Sequence, residues 1–305
     1  MKKTIIPPYL KEGDTVAIVG LACKVNLADI QSAINYLTTV WKVAVLIGDS
    51  VGASYNQFAG NDQVRANDFQ QMLDNPAVKA IFSVRGGYGS SRIIDVIDFT
   101  SFVNNPKWVI GFSDITAVLC HIYQLGFESI HGVMPKLFLQ EGGQESVESL
   151  RKVLFGEGLN YQVDSHELNR LGQVEAPIVG GNLAIINHLL ASPSELDTTN
   201  KILFLEDVGE YLYSIDRMMI QLKRAGKLSN LAGLVVGSFS DLKDNDTPFG
   251  KTAYQIIQEA VADYHYPVCY GFPVGHEPQN WAIPCGRNVL LTVSETNVRI
   301  SSLVF

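Results

Sequence analysis

Apolar positions in the first 140 residues alternate between two spacings. Continuous apolar runs of strand length recur at Thr15–Gly20, Trp41–Leu46, Lys79–Ser83, Trp108–Gly111 and Ser129–His131. Between them, apolar residues three and four apart predict helices over Ala28–Thr38, Val64–Leu73, Ser90–Ile97 and Ile115–Leu125. Asp62 stands where an N-cap would open the second of these. Strand–helix alternation of this kind implies right-handed crossovers and a parallel sheet with helices on both faces.

The pattern weakens from about Leu139 to Val174, where Gly142-Gly143, Gly156 and Gly158 punctuate the chain. Beyond it the elements are mixed. Helices are predicted over Leu183–Leu190, Tyr213–Ala225 and Thr252–Val261, and strands over Ile202–Leu205, Leu234–Gly237 and Val268–Gly271. Val289–Val293 and Asn297–Ser301 flank Glu295-Thr296 as a terminal hairpin. A chain of 305 residues exceeds the size at which one core usually stops growing. The expected organisation is α/β throughout. A Rossmann-like parallel-sheet domain fills 1–140, a linker 141–174, and a second, mixed α/β domain 175–305.

Composition narrows the function classes. Hydrophobic residues make up 47% and charged residues 18%, as in a protein with a large buried core. The net charge of −8 argues against a nucleic-acid partner, which needs clustered Lys and Arg. No apolar stretch reaches the roughly 20 residues of a membrane span. After Met1-Lys2-Lys3, charged and proline residues leave no room for a secretory segment, so a cytoplasmic location is expected. Cys23, Cys120, Cys269 and Cys285 are far apart in sequence and read as free thiols, with no zinc or redox pair.

Gly111-Phe112-Ser113-Asp114 joins a strand to a helix. A serine there projects its hydroxyl at the carboxyl edge of the sheet, where open α/β sheets bind ligands. The following helix N-terminus turns backbone N–H groups toward the same spot. This is the logic of a nucleophile elbow, although Ile115 replaces the last glycine of the usual pattern. Taken alone, the tetrapeptide fits a helix N-cap better. A nucleophilic serine needs a base and an orienting acid. His131 and His276 both follow strands and compete as base, while His121, His166, His188 and His265 read as structural. Glu206 closes a buried run and so needs a partner; Asp207 and Glu210 are alternatives. The loop Arg85-Gly86-Gly87-Tyr88-Gly89 lacks the third glycine of a dinucleotide fingerprint. It permits close backbone approach to a reacting carbonyl, and would also serve as a plain tight turn.

Taken together, these segments resemble the LD-carboxypeptidase family of serine peptidases, the muramoyltetrapeptide carboxypeptidases. The resemblance runs along nearly the whole chain. It rests on Phe58-Ala59-Gly60-Asn61-Asp62 with Arg65-Ala66-Asn67-Asp68, on Arg85-Gly86-Gly87-Tyr88-Gly89, and on Gly111–Thr116 with His131-Gly132. Gly180-Gly181-Asn182-Leu183, Leu205–Glu210, Ile215–Met218 and Gly271–His276 complete it. The resemblance implies Ser113 as nucleophile, His276 as general base and Glu206 as orienting acid, with the active site between the two domains. It implies an oxyanion hole from the backbone of Gly86 or Gly87 and of Asp114, and no metal or cofactor. The implied substrate is a murein tetrapeptide losing its terminal D-alanine, and the implied assembly a homodimer. Arg85, Tyr88 and Asn182 are candidate substrate contacts. Arg85 and Lys136 are placed to meet a terminal carboxylate. One departure stands out: Leu21-Ala22-Cys23 replaces the usual Ser-Pro after the first strand. A related hydrolase that inactivates peptidyl-nucleotide antibiotics is a rival reading. Its extra interdomain tryptophan has no counterpart between Trp108 and Trp281. A non-catalytic peptide-binding protein is the other rival, and it would need no nucleophile.

Overall fold

The strand runs of the first half assemble into one sheet in a computed structural model that describes residues 4–302. Met1-Lys2-Lys3, on which the leader reading began, lie outside the described residues, as do 303–305. The elements of this half are β1 (Thr15–Val19), α1 (Gln31–Thr39), β2 (Ala44–Ile47), α2 (Asp62–Asp74) and β3 (Val78–Ser83). Then come α3 (Thr100–Asn104), β4 (Trp108–Gly111), α4 (Thr116–Gln124) and β5 (Ser129–His131). The five strands are parallel, in the order β2-β1-β3-β4-β5. Central β4 is buried along its whole length, as its unbroken apolar run requires, whereas edge strand β2 alternates in exposure. The order reverses between β1 and β3, which makes that edge of the sheet a topological switch point where ligands bind.

The second half forms α5 (Gln144–Leu154), β6 (Asn160–Asp164), β7 (Gly172–Asn182), α6 (Leu183–His188), β8 (Ile202–Val208), α7 (Leu212–Arg224) and β9 (Gly233–Ser240). It ends with α8 (Ala253–Ala260), β10 (Val268–Tyr270), β11 (Ile283–Cys285), β12 (Asn288–Val293) and β13 (Asn297–Ser301). Its sheet runs β10-β9-β8-β7-β12-β13-β6. The strands from β10 to β7 are parallel and those from β7 to β6 antiparallel. β11 leaves this half and adds antiparallel to β5, completing the first sheet at six strands. One hydrophobic core contains residues of both halves, among them Phe82, Ile110, Phe204, Phe272 and Ile283.

Several expectations need correction. The stretch 141–174 is folded: it carries α5, β6 and the start of β7, and Val147, Leu150 and Val153 pack into the shared core. Its amphipathic helix was hidden among glycines. The strand after α1 starts at Ala44, because Lys42 turns the chain with φ 55° and Trp41 packs against Phe82 and Phe138. Ser90–Ile97 is two short 3-10 turns rather than a helix. Asn61, not Asp62, caps α2 by accepting from the Val64 N–H at 2.9 Å; Asp62 pairs with Arg65 and Arg92 instead. Among the described residues, no helix is long and apolar enough to cross a membrane.

Candidate active site

β4 ends at Gly111 because the chain must turn sharply there. A Cβ on that residue would lie 2.7 Å from Ile115 Cγ2. Phe112 is extended, and Ser113 adopts φ 62°, an unusual conformation for a residue with a side chain. Holding a non-glycine residue there costs on the order of 1–3 kcal/mol, and such strain concentrates at functional sites. Ser113 is half-buried, at the carboxyl edge of the sheet and one turn before α4.

Backbone approaches this serine from β3. A Cβ on Gly86 would fall 2.8 Å from Ser113 Cβ and 3.0 Å from its Oγ, so only glycine lets the loop come this close. Among the described residues, neither the Gly86 nor the Gly87 N–H donates a hydrogen bond. Ser90 laces the loop to the residue after the serine. Its N–H donates to Asp114 Oδ2 at 2.7 Å, and its hydroxyl to the Asp114 carbonyl at 2.6 Å.

The second half supplies a buried carboxylate and an imidazole. Glu206 lies on β8, where the register with β9 shifts between Leu205 and Asp207. Such irregularities re-aim side chains near functional sites. Glu206 is fully buried, and its Oε2 is 2.7 Å from His276 Nδ1. A carboxylate only accepts, so Nδ1 carries the proton and Nε2 is left as the free base. The loop carrying His276 is held by side chains that accept from its backbone. The Gly275 N–H donates to Asn280 Oδ1 at 3.0 Å, and the His276 N–H to Ser238 Oγ at 3.2 Å. The ring of Phe112, the residue before Ser113, meets the imidazole edge-on at 4.9 Å. Burial pulls the His276 pKa down. The Glu206 hydrogen bond and the negative charges of Glu206, Asp207 and Asp241 outweigh it, so the net shift is upward.

The other candidates separate cleanly. His131 is fully buried between Phe112 and Phe204, at ring distances of 5.7 and 5.2 Å. Burial, opposed by the Glu206 charge, pushes its pKa down to about 4, so it is neutral and sealed from substrate. Asp207 accepts from Asn182 Nδ2 at 2.9 Å, from the Val208 N–H at 2.8 Å and from the Ala184 N–H at 3.0 Å. Burial and neighbouring Glu206 still raise it to about 6. Asn182, expected as a substrate contact, has its side chain occupied: Nδ2 binds Asp207 and Oδ1 caps α6 at the Ile185 N–H. It is a structural residue here because a buried strand-to-helix turn needs both bonds. Glu210 sits past the strand, its carbonyl accepting from the Lys243 N–H.

The two cations part in the same way. Lys136 lies 3.6 Å from Asp29, whereas half-buried Arg85 has no side-chain partner among the described residues. Tyr88 is exposed beside the Phe58 ring. His121 binds Ser194, His166 packs on Tyr254 and Tyr270, and His188 and His265 face solvent. Phe112, Ser90, Ser238 and Asn280 were missed as site residues. Their roles are contacts across the fold, and no spacing in the sequence announces those. The four cysteines are unpaired.

A serine in a strained turn, a glycine loop closing on it with Gly86 and Gly87 N–H groups that donate no hydrogen bond among the described residues, and a carboxylate–imidazole pair packed on the residue before it are group types that acyl transfer uses. Comparison with known proteins gives the family. Residues 16–132 match the LD-carboxypeptidase N-terminal domain and residues 175–291 the LD-carboxypeptidase C-terminal domain. A probable murein peptide carboxypeptidase of Bacillus subtilis is 31% identical over 304 residues, covering 97% of this chain and 94% of its own. The solved muramoyltetrapeptide carboxypeptidase of Oxalobacter formigenes superposes with TM-score 0.84 at 25% identity, covering 95% of this chain and 100% of its own. The solved microcin C7 self-immunity protein MccF shares the fold, with TM-score 0.88 at 20% identity over 99% of each chain. The chain therefore belongs to the LD-carboxypeptidase family of peptidases.

Proposed function

We propose that the protein is a serine-type carboxypeptidase that cleaves the L,D amide bond before the terminal D-alanine of murein tetrapeptides. The observation that carries this reading is the Glu206–His276 pair at 2.7 Å, packed on Phe112, the residue before Ser113. In the first half-reaction His276 Nε2 takes the Ser113 proton as Oγ attacks the carbonyl carbon of the L-centre. Negative charge moves to the carbonyl oxygen, where the N–H groups of Gly86, Gly87 and Asp114 receive it. Each such donor contributes about 2.7–4 kcal/mol in comparable enzymes. The C–N bond then breaks, and His276 returns its proton to the amine of the departing D-alanine. Water repeats the sequence on the acyl-enzyme. Glu206 holds the tautomer and stabilises the imidazolium without taking a proton.

Arg85 is the group we assign to the terminal carboxylate, since its guanidinium is unspent and it adjoins the glycine loop. Tyr88, exposed on the same loop, is a second contact in this reading. We place the reaction in cell-wall recycling in the cytoplasm, performed by a homodimer. The residues themselves would carry the chemistry without a metal or cofactor.

Release of D-alanine from a murein tetrapeptide by the wild type, and its loss in Ser113→Ala, is the expected result. Release by both proteins would sink the assignment of the nucleophile. Release by neither would move the substrate to a peptidyl-nucleotide, the next compound to assay.

A further inference from the structure

The segment Asn61-Asp62 through Arg65 and Asp68 takes no part in the chemistry above, yet it carries charge into the interior. Arg65 is fully buried on α2. A buried guanidinium is costly unless its donors are used. Its Nη1 donates to the Leu21 carbonyl at 2.7 Å and to the Gly89 carbonyl at 2.8 Å. Its Nη2 pairs with Asp62, which Arg92 also grips at 2.7 Å. The plane lies over the Phe58 ring, 5.0 Å from its centre. One turn further along the same buried face, Asp68 accepts from the N–H groups of Asp49 and Ser50.

Leu21 belongs to the loop after β1 and Gly89 to the loop after β3, on the two sides of the switch point. Arg65 is thus the bolt between them. The far end of the glycine loop is fixed by Ser90 on Asp114, and its middle by the Cys23 N–H, which donates to the Gly86 carbonyl at 3.3 Å. Gly89 has φ 135°, and a Cβ there would lie 2.6 Å from Arg65 Nη1. The Leu21-Ala22-Cys23 loop contributes through its backbone: the Leu21 carbonyl, the Ala22 carbonyl accepting from the Ala59 N–H, and the Cys23 N–H. Its side chains pack as well: Leu21 and Ala22 are fully buried in a hydrophobic core, and a Cβ on Gly87 would lie 2.4 Å from Cys23 Sγ.

From this geometry we infer that Arg65 is a positioning residue for the oxyanion loop, holding Gly86 and Gly87 in register with Ser113 by tying the Leu21 and Gly89 carbonyls together. The inference rests on the reading of Ser113 as nucleophile. Displacing a catalytic group by a fraction of an ångström lowers turnover more than binding. A lysine offers a point charge instead of a planar fork and cannot reproduce the arrangement fully.

The test is tetrapeptide hydrolysis by Arg65→Met and Arg65→Lys, with thermal unfolding measured on each. Arg65→Met is expected to lower kcat by about 10- to 100-fold. Its KM should stay within about threefold, and Arg65→Lys should fall between it and the wild type. A folded Arg65→Met with kcat within about twofold of wild type overturns the inference. Should Arg65→Met fail to fold, Gly89→Ala displaces the same guanidinium. The same selective fall in kcat is then expected, and an unchanged kcat refutes it. The rate at which a fluorophosphonate labels Ser113 separates this inference from the substrate assignment. A wild type that is labelled but does not cleave tetrapeptide has a different substrate, and the labelling rates of the variants then decide, with a fall of the same order expected. A wild type that is not labelled at Ser113 sinks both readings.

Discussion

The edge of the first sheet holds Ser113 with backbone, whereas the second half of the chain holds His276 with side chains. Around the serine the determinants are a left-handed turn, the close approach of Gly86 and the tightness of Gly111. Around the histidine they are the Glu206 carboxylate, the Ser238 hydroxyl and the Asn280 amide. The difference teaches what each side tolerates. A backbone-built site admits no Cβ at the glycines that close on the serine. A site built from side chains can be retuned one partner at a time, and its protonation follows its surroundings.

The largest way to break the comparison is on the side-chain half. Glu206→Gln keeps the shape of the carboxylate and removes its charge. The amide can present N–H to His276 Nδ1 and favour the wrong tautomer. Turnover is expected to fall by about 10⁴-fold, as when the orienting acid of other triads becomes an amide. Steady-state kinetics on tetrapeptide checks this, and a loss under about tenfold would show that Glu206 does not orient the base.

A smaller effect tests the scaffold that joins the two halves. Glu128, just before β5, and Arg287, between β11 and β12, form a buried ion pair with bonds of 2.6 to 2.9 Å. The pair fastens the end of the second half to the first sheet. Arg287→Met breaks this buried pair and is expected to lower stability by up to about 3–5 kcal/mol. Denaturant unfolding should show that loss in the midpoint while the slope is unchanged. A change under about 1 kcal/mol would assign the junction to the shared hydrophobic core alone.

How much of this the sequence disclosed follows the same division. Apolar periodicity located the parallel strands of the first sheet, because central strands buried on both faces read as unbroken runs. Local pattern placed the strand-to-helix turn at Ser113 and the glycine loop after β3, but taken alone it favoured a helix N-cap and a plain tight turn. Glu206 and His276 could each be nominated from their neighbourhood, but their pairing across 70 positions of chain was not. It came from resemblance. The competition between His131 and His276 turned on burial, which local pattern does not report: His131 follows a strand as well, yet sits wholly inside. The α5 helix was missed because glycines flank it on both sides, and the return of β11 to the first sheet because its partner strand lies far away in sequence.

The smallest effect sharpens the comparison through pH. In the proposed mechanism His276 must be neutral to accept the Ser113 proton, so kcat/KM should fall as pH drops through its pKa. Burial lowers that pKa, but the Glu206 bond and the charges of Glu206, Asp207 and Asp241 leave it above its ordinary value near 6.5. His131, the other titratable group against Phe112, is neutral across this range and does not contribute a limb. The acid limb of kcat/KM is therefore expected above pH 6.5. In Glu206→Gln the main raising cause is gone, and burial is opposed only by the charges of Asp207 and Asp241. The residual activity should then show its limb at lower pH than the wild type. Measuring kcat/KM from pH 5 to pH 9 for both proteins decides it. A limb that stays in place when Glu206 is neutralised would mean that another group titrates. A limb that moves down would show that the side-chain half sets the pH response and the backbone half does not.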